Sequence, residues 1–235
     1  MWLLDIDSAE ARRLTPPVLN ANLGAPFAWF RDNESLLVRM LPEDRPALID
    51  KQKTIPKGPS ISTNEGKKAQ NRTYQDLLKD KIDEDNFENL VTSVLKRVYL
   101  DGRVDTWMDK GMYQNVSFSP DGQYLVLNEI KRPFSYLVQY SRFPKKIGIY
   151  DVDGKLVEPL LEVPLIEDLP QGFMAVRTGM RNIQWRKDKP ATLCWAEALD
   201  EGDPAKDVPF RDEVFERDVP FEDEKRSLLK TINRY

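Results

Sequence analysis

The stretch Asn115-Val116-Ser117-Phe118-Ser119-Pro120-Asp121-Gly122-Gln123-Tyr124-Leu125-Val126-Leu127-Asn128 decides the fold. Proline presets φ, aspartate bonds its own backbone and glycine accepts positive φ, so Pro120-Asp121-Gly122 reads as a tight turn. The flanking runs 115–119 and 124–128 alternate or are continuously apolar, as sheet strands do. The stretch is therefore a strand, a turn and a second strand.

The same pattern recurs on either side. An aromatic residue, two intervening residues and an aspartate precede a strand-like run at Trp29-Phe30-Arg31-Asp32, at Phe118-Ser119-Pro120-Asp121 and at Trp185-Arg186-Lys187-Asp188. The aspartates lie 89 and then 67 residues apart, so the units are uneven and carry insertions. A second pattern falls between them. Residues 2–6 and 11–15 flank Ser8-Ala9-Glu10, residues 97–100 and 103–107 flank Asp101-Gly102, and residues 147–152 and 155–163 flank Asp153-Gly154. Asp-Gly between apolar runs is a strong hairpin signal. Residues 214–219 and 225–232 make a weaker fourth hairpin.

Interleaving the two patterns gives four strands per unit. The chain opens with the last two strands of one unit and then holds three full units, roughly 24–107, 113–163 and 181–232. Repeated four-stranded antiparallel units are the blades of a β-propeller. The fold class is thus all-β: a partial β-propeller of about three four-stranded antiparallel blades plus an outer hairpin, with a small helical insertion. The whole of 1–235 reads as one incomplete propeller domain, and an ordinary all-β sandwich is the runner-up. An open array would leave a bare sheet face at each end, which missing blades, a second copy or another chain would have to cover.

Residues 41–93 break the pattern. Four prolines and many polar residues mark 41–72 as a long loop. Thr73-Tyr74-Gln75-Asp76 resembles a capping box with Tyr74, Leu77 and Leu78 on one helical face. Asp85 is placed to cap a second helix, with Phe87, Leu90, Val91 and Val94 at helical spacing. Strand alternation puts every tight turn on one end of the units and every long connection on the other: 41–93, 131–146, 164–180 and 198–210. Long loops on a rigid scaffold carry function. This end is basic at Lys131, Arg132, Arg142, Lys145, Lys146, Arg177 and Arg181. Arginine offers a planar fork that matches a carboxylate. Arg132, Arg142, Arg177 and Arg181 are therefore the candidate contacts for an acidic substrate side chain; the competing reading is a solvated surface with local ion pairs.

Composition removes other chemistries. The chain has 235 residues, 35 basic, 39 acidic and no histidine, for a net charge of −4. It can form no Ser-His-Asp triad, no Cys-His dyad and no His-ligated metal site. The one cysteine, Cys194, excludes an internal disulfide framework and reads as a small buried hydrophobe. Asp151-x-Asp153-Gly154 is only a fragment of a calcium loop and is explained by its hairpin turn. No cofactor and no metal is expected, and no catalytic residue is identified. No apolar run approaches the roughly 18 residues that span a membrane, residues 1–5 lack the basic start of a signal peptide, and the mildly acidic balance gives no nucleic-acid footprint. Neither a membrane nor a nucleic acid is expected as a partner, and the compartment is left open.

Longer runs carry a resemblance. Phe118-Ser119-Pro120-Asp121-Gly122 resembles the blade repeats of the prolyl oligopeptidase family of serine peptidases. Gly66-Lys67-Lys68 with Arg72-Thr73-Tyr74-Gln75-Asp76-Leu77-Leu78 resembles the propeller insertion of its glutamyl endopeptidase-like branch. So do Arg132-Pro133-Phe134-Ser135-Tyr136-Leu137-Val138, Arg142-Phe143-Pro144, Ala175-Val176-Arg177-Thr178-Gly179 and Pro190-Ala191-Thr192-Leu193 with Trp195 and Glu197-Ala198-Leu199-Asp200. The resemblance implies an N-terminal propeller that caps a C-terminal α/β-hydrolase domain and restricts which peptides reach a catalytic serine. It implies cleavage after glutamate. The sequence departs from the family where the chemistry should be: Gly58-Pro59-Ser60-Ile61-Ser62 lacks the second glycine of a nucleophile elbow, and histidine is missing. The resemblance therefore implies a middle slice of the propeller without the hydrolase domain. Such a slice would gate access and help position acidic peptide substrates, with the missing catalytic domain and remaining blades as its partners, and its open blade edges would allow self-association. The alternative is a self-standing propeller-type protein-interaction module.

Overall fold

The computed structural model describes residues 1–54 and 74–235. Strands β1 (Trp2–Leu4) and β2 (Ala11–Arg13) form a lone antiparallel hairpin. Three four-stranded meanders follow. The first holds β3 (Phe27–Trp29), β4 (Ser35–Met40), β5 (Ser93–Tyr99) and the first half of β6 (Val104–Phe118). The second half of β6 opens the next meander, with β7 (Tyr124–Ile130), β8 (Lys145–Asp151) and β9 (Leu156–Val163). The third is β10 (Arg181–Trp185), β11 (Thr192–Ala198), β12 (Asp212–Asp218) and β13 (Arg226–Thr231). Every pairing is antiparallel between chain neighbours. The fold is all-β, with the hairpin, the three units and the helical insertion that the sequence pattern specifies.

Among the strands, one element differs from the pattern. Residues 108–112, expected to link two units, are strand. β6 pairs with β5 through Val104 to Gly111 and with β7 through Met112 to Phe118, so one strand closes one meander and opens the next.

The turns form for the reasons their residues give. Asp121 accepts from the Ser119 hydroxyl at 2.6 Å and from the Gln123 amide at 3.0 Å, and Gly122 sits at φ 74°. A Cβ at Gly122 would meet Arg31 side-chain carbon at 2.1 Å, so the turn also seats directly on the preceding unit's turn. Asp32 plays the Asp121 part in the first unit, accepting from the Glu34 and Ser35 amides. Asp188 instead pairs with the Arg186 guanidinium.

Period-two alternation sends neighbouring side chains into different cores. In β7, Leu125 and Leu127 pack against Phe30, Leu37, Leu95 and Trp107 of the first meander. Val126, between them, joins Ile149 of its own meander and Trp185, Leu193 and Trp195 of the third. In β4, Leu37 faces the second meander while Leu36, Val38 and Met40 face Met1 and Leu3 of the hairpin end. The four pieces therefore stack face to face in chain order. Each fully buried leucine or valine contributes about 1.5–3 kcal/mol.

The two ends of the stack differ. Trp2, Leu4 and Ile6 are exposed at the hairpin end. The outward face of the third meander is not a bare apolar surface. There Glu216, 4% exposed, is held by Arg186, Lys189 and Arg226.

The insertion contains α1 (Lys81–Val91). Asp80 caps it by accepting from the Asp83 amide, and Asp83 and Glu84 oppose the positive end of its dipole. The expected start at Asp85 is thus five residues late. Val94, expected on the helix, is in β5, because Thr92 ends α1 by donating its amide and hydroxyl to the Glu88 carbonyl. Residues 74–79 are not helical. Asp83 draws the Lys79 amide into the α1 cap, Asp76 is left-handed at φ 55°, and Tyr74 and Leu78 pack beside Phe87 instead. Thr73, Arg72, Gly66-Lys67-Lys68 and Gly58-Pro59-Ser60-Ile61-Ser62 lie outside the described residues.

Candidate functional site

The connections that leave the long-loop ends of the strands are joined into one layer. Tyr136 donates its hydroxyl to Glu84 at 2.7 Å, and Arg132 donates to Glu84 at 2.8 Å and to Glu88 at 3.0 Å. Ser135 donates to Glu167 at 2.5 Å, the Ile166 amide to the Arg142 carbonyl at 3.1 Å, and the Val176 amide to the Gly202 carbonyl at 3.1 Å. Beneath these bonds Phe87, Phe134 and Phe143 pack with ring centroids 5.1–5.7 Å apart. The loops thus carry their own core, fixed to the sheets through Met112 and Ile130.

Large apolar side chains are exposed at both ends of the strands. Leu48, Ile49, Tyr136, Leu137, Phe173 and Phe210 stand out from the long connections, and Phe173 is 93% exposed. At the tight-turn ends of the strands Leu4, Ile6, Trp29, Val104 and Leu156 are exposed as well.

The four candidate arginines do not form one site. Arg132 lies on α1: hydrogen bonds from its guanidinium to Glu88 and Glu84 hold its pKa above the ordinary value, and its charge sits 4.5 Å from the Phe134 ring centroid. Arg142 lies 5.5 Å from the Tyr74 ring centroid in the same loop layer. Arg177 and Arg181 are brought together elsewhere, at the entry to β10. Arg177 is half-buried and donates to the Thr178 carbonyl at 2.9 Å and to the Met180 carbonyl. Burial, then repulsion from Arg181, lowers its pKa. Lys145, at the same end of β8, is lowered by burial and then by Arg177. The spacing 145–177 carries no motif that singles out Lys145.

Arg181 enters a buried ion network at the base of the third meander. It is 8% exposed, and its Nη2 lies 2.6 Å from Asp212 Oδ1 without hydrogen-bond alignment; its Nε also has no partner. Asp212 accepts from Arg234 at 2.9 Å and from the Tyr235 amide at 2.8 Å. Arg234 also reaches Asp200 at 2.6 Å, and Arg211 reaches Asp200 at 2.8 Å. Burial pushes the Asp200 carboxyl up, but the hydrogen bonds from Arg211 and Arg234 outweigh it and hold the group below its ordinary value. No sequence motif points to Asp212 or Arg234, and Asp200 stands in a resemblance run without a role.

The arrangement offers charge, apolar surface and hydrogen-bond donors. The buried Cys194 thiol is pushed up by burial, away from a reactive thiolate. Among the described residues no cluster of acidic, cysteine or histidine side chains has the geometry of a metal site. No helix among them is long and apolar enough to cross a membrane.

No family model matches the sequence. The chain is 40% identical over 238 residues to a probable glutamyl endopeptidase, chloroplastic, of Oryza sativa subsp. japonica, and the likeness takes in 99% of this chain and 25% of that protein. It is 38% identical over 238 residues to a protein of the same name from Arabidopsis thaliana, across 99% of this chain and 24% of the relative. The chain thus spans about a quarter of the length of the curated relatives it matches.

Proposed function

We propose that this chain, which is similar nearly end to end to a segment of glutamyl endopeptidases, is a non-catalytic propeller segment of such a serine peptidase. Its stacked meanders act as consecutive blades of an incomplete β-propeller. The long-loop layer gates access to a catalytic α/β-hydrolase domain that lies outside residues 1–235, and helps to position acidic peptides for cleavage. The observation that carries this reading is the likeness along 99% of the chain at 40% identity. The hydrogen bonds that link the long loops into one layer support the gating role.

The experiment uses the longer protein. Phe143→Ala removes a ring that is 1% exposed at the centre of the loop layer. A gate predicts that this variant gains activity on long acidic peptides relative to short ones. An unchanged ratio for long and short substrates, with the layer loosened by hydrogen exchange, rejects gating.

A second reading is a self-standing interaction module, which the 93% exposure of Phe173 favours. A downstream reading frame with a Gly-x-Ser-x-Gly stretch and a later histidine would exclude it.

A further inference from the structure

We propose that α1 carries a ledge that binds peptide main chain, that residues 45–51 of this chain occupy it as a releasable strap, and that an incoming peptide with a basic side chain takes the strap's place. Peptide as the ligand class rests on the function proposed above; the ledge rests on the geometry of α1.

Asp83, Asn86 and Asn89 recur every three residues and so share one face of α1. Asparagine is a poor helix former because its side chain competes for main-chain groups. Here it bonds the main chain of another segment. Asn86 accepts from the Ile49 amide at 2.8 Å and donates to the Ile49 carbonyl at 2.9 Å. Asn89 donates to the Pro46 carbonyl at 2.7 Å and accepts from Arg45 Nε at 3.0 Å. At the start of the helix Lys51 meets Asp80 at 3.0 Å and Asp83 at 2.5 Å. The strap thus runs antiparallel to α1, with a cation at each end and main-chain bonds between them.

The apolar side chains of the strap take no part. Every residue from 46 to 53 is exposed, and Leu48 and Ile49 enter none of the apolar cores. An open cavity of about 320 Å³ lies between the strap's first residues and Glu88, Asn89 and Thr92. Hydrogen bonds contribute modestly in net terms and exposed ion pairs contribute little, so the strap belongs to the low-stability end of the fold. The helix is anchored without it: Phe87, Leu90 and Val91 sit in the loop core, and Arg132 holds Glu84 and Glu88. Release of the strap therefore leaves the ledge standing, with the Asn86 amide ready for one main-chain N–H and C=O and with Asp80 and Asp83 ready for a cation two residues later. A peptide that offers this pair meets the same groups as the strap does, whatever its apolar side chains.

The test adds a fluorescent peptide that copies residues 44–52 to the 235-residue chain. Arg45→Ala combined with Lys51→Ala weakens the strap and leaves the ledge intact. This double variant is expected to bind the peptide about tenfold more tightly than the parent, and to lose about tenfold when Asn86→Ala is added. A peptide N-methylated at the position that copies Ile49 should lose as much, whereas alanine at the position that copies Leu48 should leave the affinity unchanged. The methylated peptide probes the ledge without altering the protein, which covers an Asn86 variant that unfolds α1. Absence of saturable binding to the double variant overturns the ledge. Equal affinity for the parent and the double variant overturns the strap as its competitor, and full affinity of the methylated peptide overturns main-chain recognition. If the longer protein cleaves no peptide, the proposed function falls while the ledge stands on the titration.

Discussion

The indole N–H of Trp185 donates to the Ser117 carbonyl at 2.8 Å, tying the first strand of the third meander to the first strand of the second. Trp107 does the same across the boundary before it, donating to the Val152 carbonyl at 2.9 Å. Both rings lie in the inter-sheet cores, so each supplies apolar area and a polar tie. Trp185→Phe retains most of the ring but leaves the carbonyl without its donor. The expected loss is about 1–3 kcal/mol, read as a lower urea midpoint with an unchanged slope. A loss under about 0.5 kcal/mol would mean water replaces the indole and the tie is unimportant.

The docking of α1 separates apolar from ionic contributions. Phe87 touches Phe134 and Phe143 in the loop core, whereas Arg132 and Glu88 meet at the surface with side chains 37% and 40% exposed. Phe87→Ala is expected to cost about 3–5 kcal/mol as a large-to-small core change. A double-mutant cycle on Arg132 and Glu88 is expected to give a coupling under about 1 kcal/mol, because exposed ion pairs are screened. Equilibrium unfolding of the five proteins decides it; a coupling that rivals the Phe87 loss would make the ion pairs the main anchor.

These pairs show what the sequence made legible. Hairpins at Asp101-Gly102 and Asp153-Gly154 were readable because turn chemistry is local, and the alternation around Ser119-Pro120-Asp121-Gly122 set the strands. The start of α1 was misplaced because Asp80 and Asp85 are both competent caps, and only the draw of Asp83 on the Lys79 amide selects the first. The continuity of β6 is hidden by Asp109-Lys110-Gly111, a polar trio that reads as a link but whose Gly111 pairs with Ser93 of β5 across a register shift. Arg132, Arg142 and Arg177 lie in the long connections and Arg181 opens β10. Their division into an α1 group and a β10 group depends on partners, Glu84 and Asp212, more than 30 residues away in sequence, which no local pattern encodes.

Two glycines distinguish backbone conformation from space. Gly102 sits at φ 100° with nothing within 4 Å of an added Cβ, so Gly102→Ala is expected to cost only the strain of the conformation, about 1–2 kcal/mol. Gly202 sits at φ 81°, and a Cβ there would come within 2.0 Å of the Val176 carbonyl oxygen. That carbonyl belongs to the neighbouring long connection, which reaches back through the Val176 amide to the Gly202 carbonyl. Gly202→Ala should therefore cost clearly more than Gly102→Ala and raise hydrogen exchange at the Val176 amide, with no change at the tight turns. Equal losses at the two positions would show that the two loops part without penalty.

The link between α1 and the 131–144 connection also carries a pH signature. Burial pushes the Glu84 carboxyl up, but hydrogen bonds from Tyr136, Lys81 and Arg132 outweigh it and bring its pKa from an ordinary 4.5 down to about 2. A carboxyl depressed in the folded state stabilises fully above its unfolded value and stops doing so as pH falls through the folded one. The contribution of Glu84 is therefore present at pH 7 and declines between about pH 4.5 and 2. With Lys81 59% exposed and Arg132 37% exposed, screening limits it to about 1 kcal/mol. Glu84→Gln should lower stability by about that amount at neutral pH, and the gap from the parent should close as the pH is taken from 5 to 2.5. Chemical unfolding at four pH values reads the gap directly. A difference that stays constant across that range would assign the effect of Glu84 to packing and not to its charge.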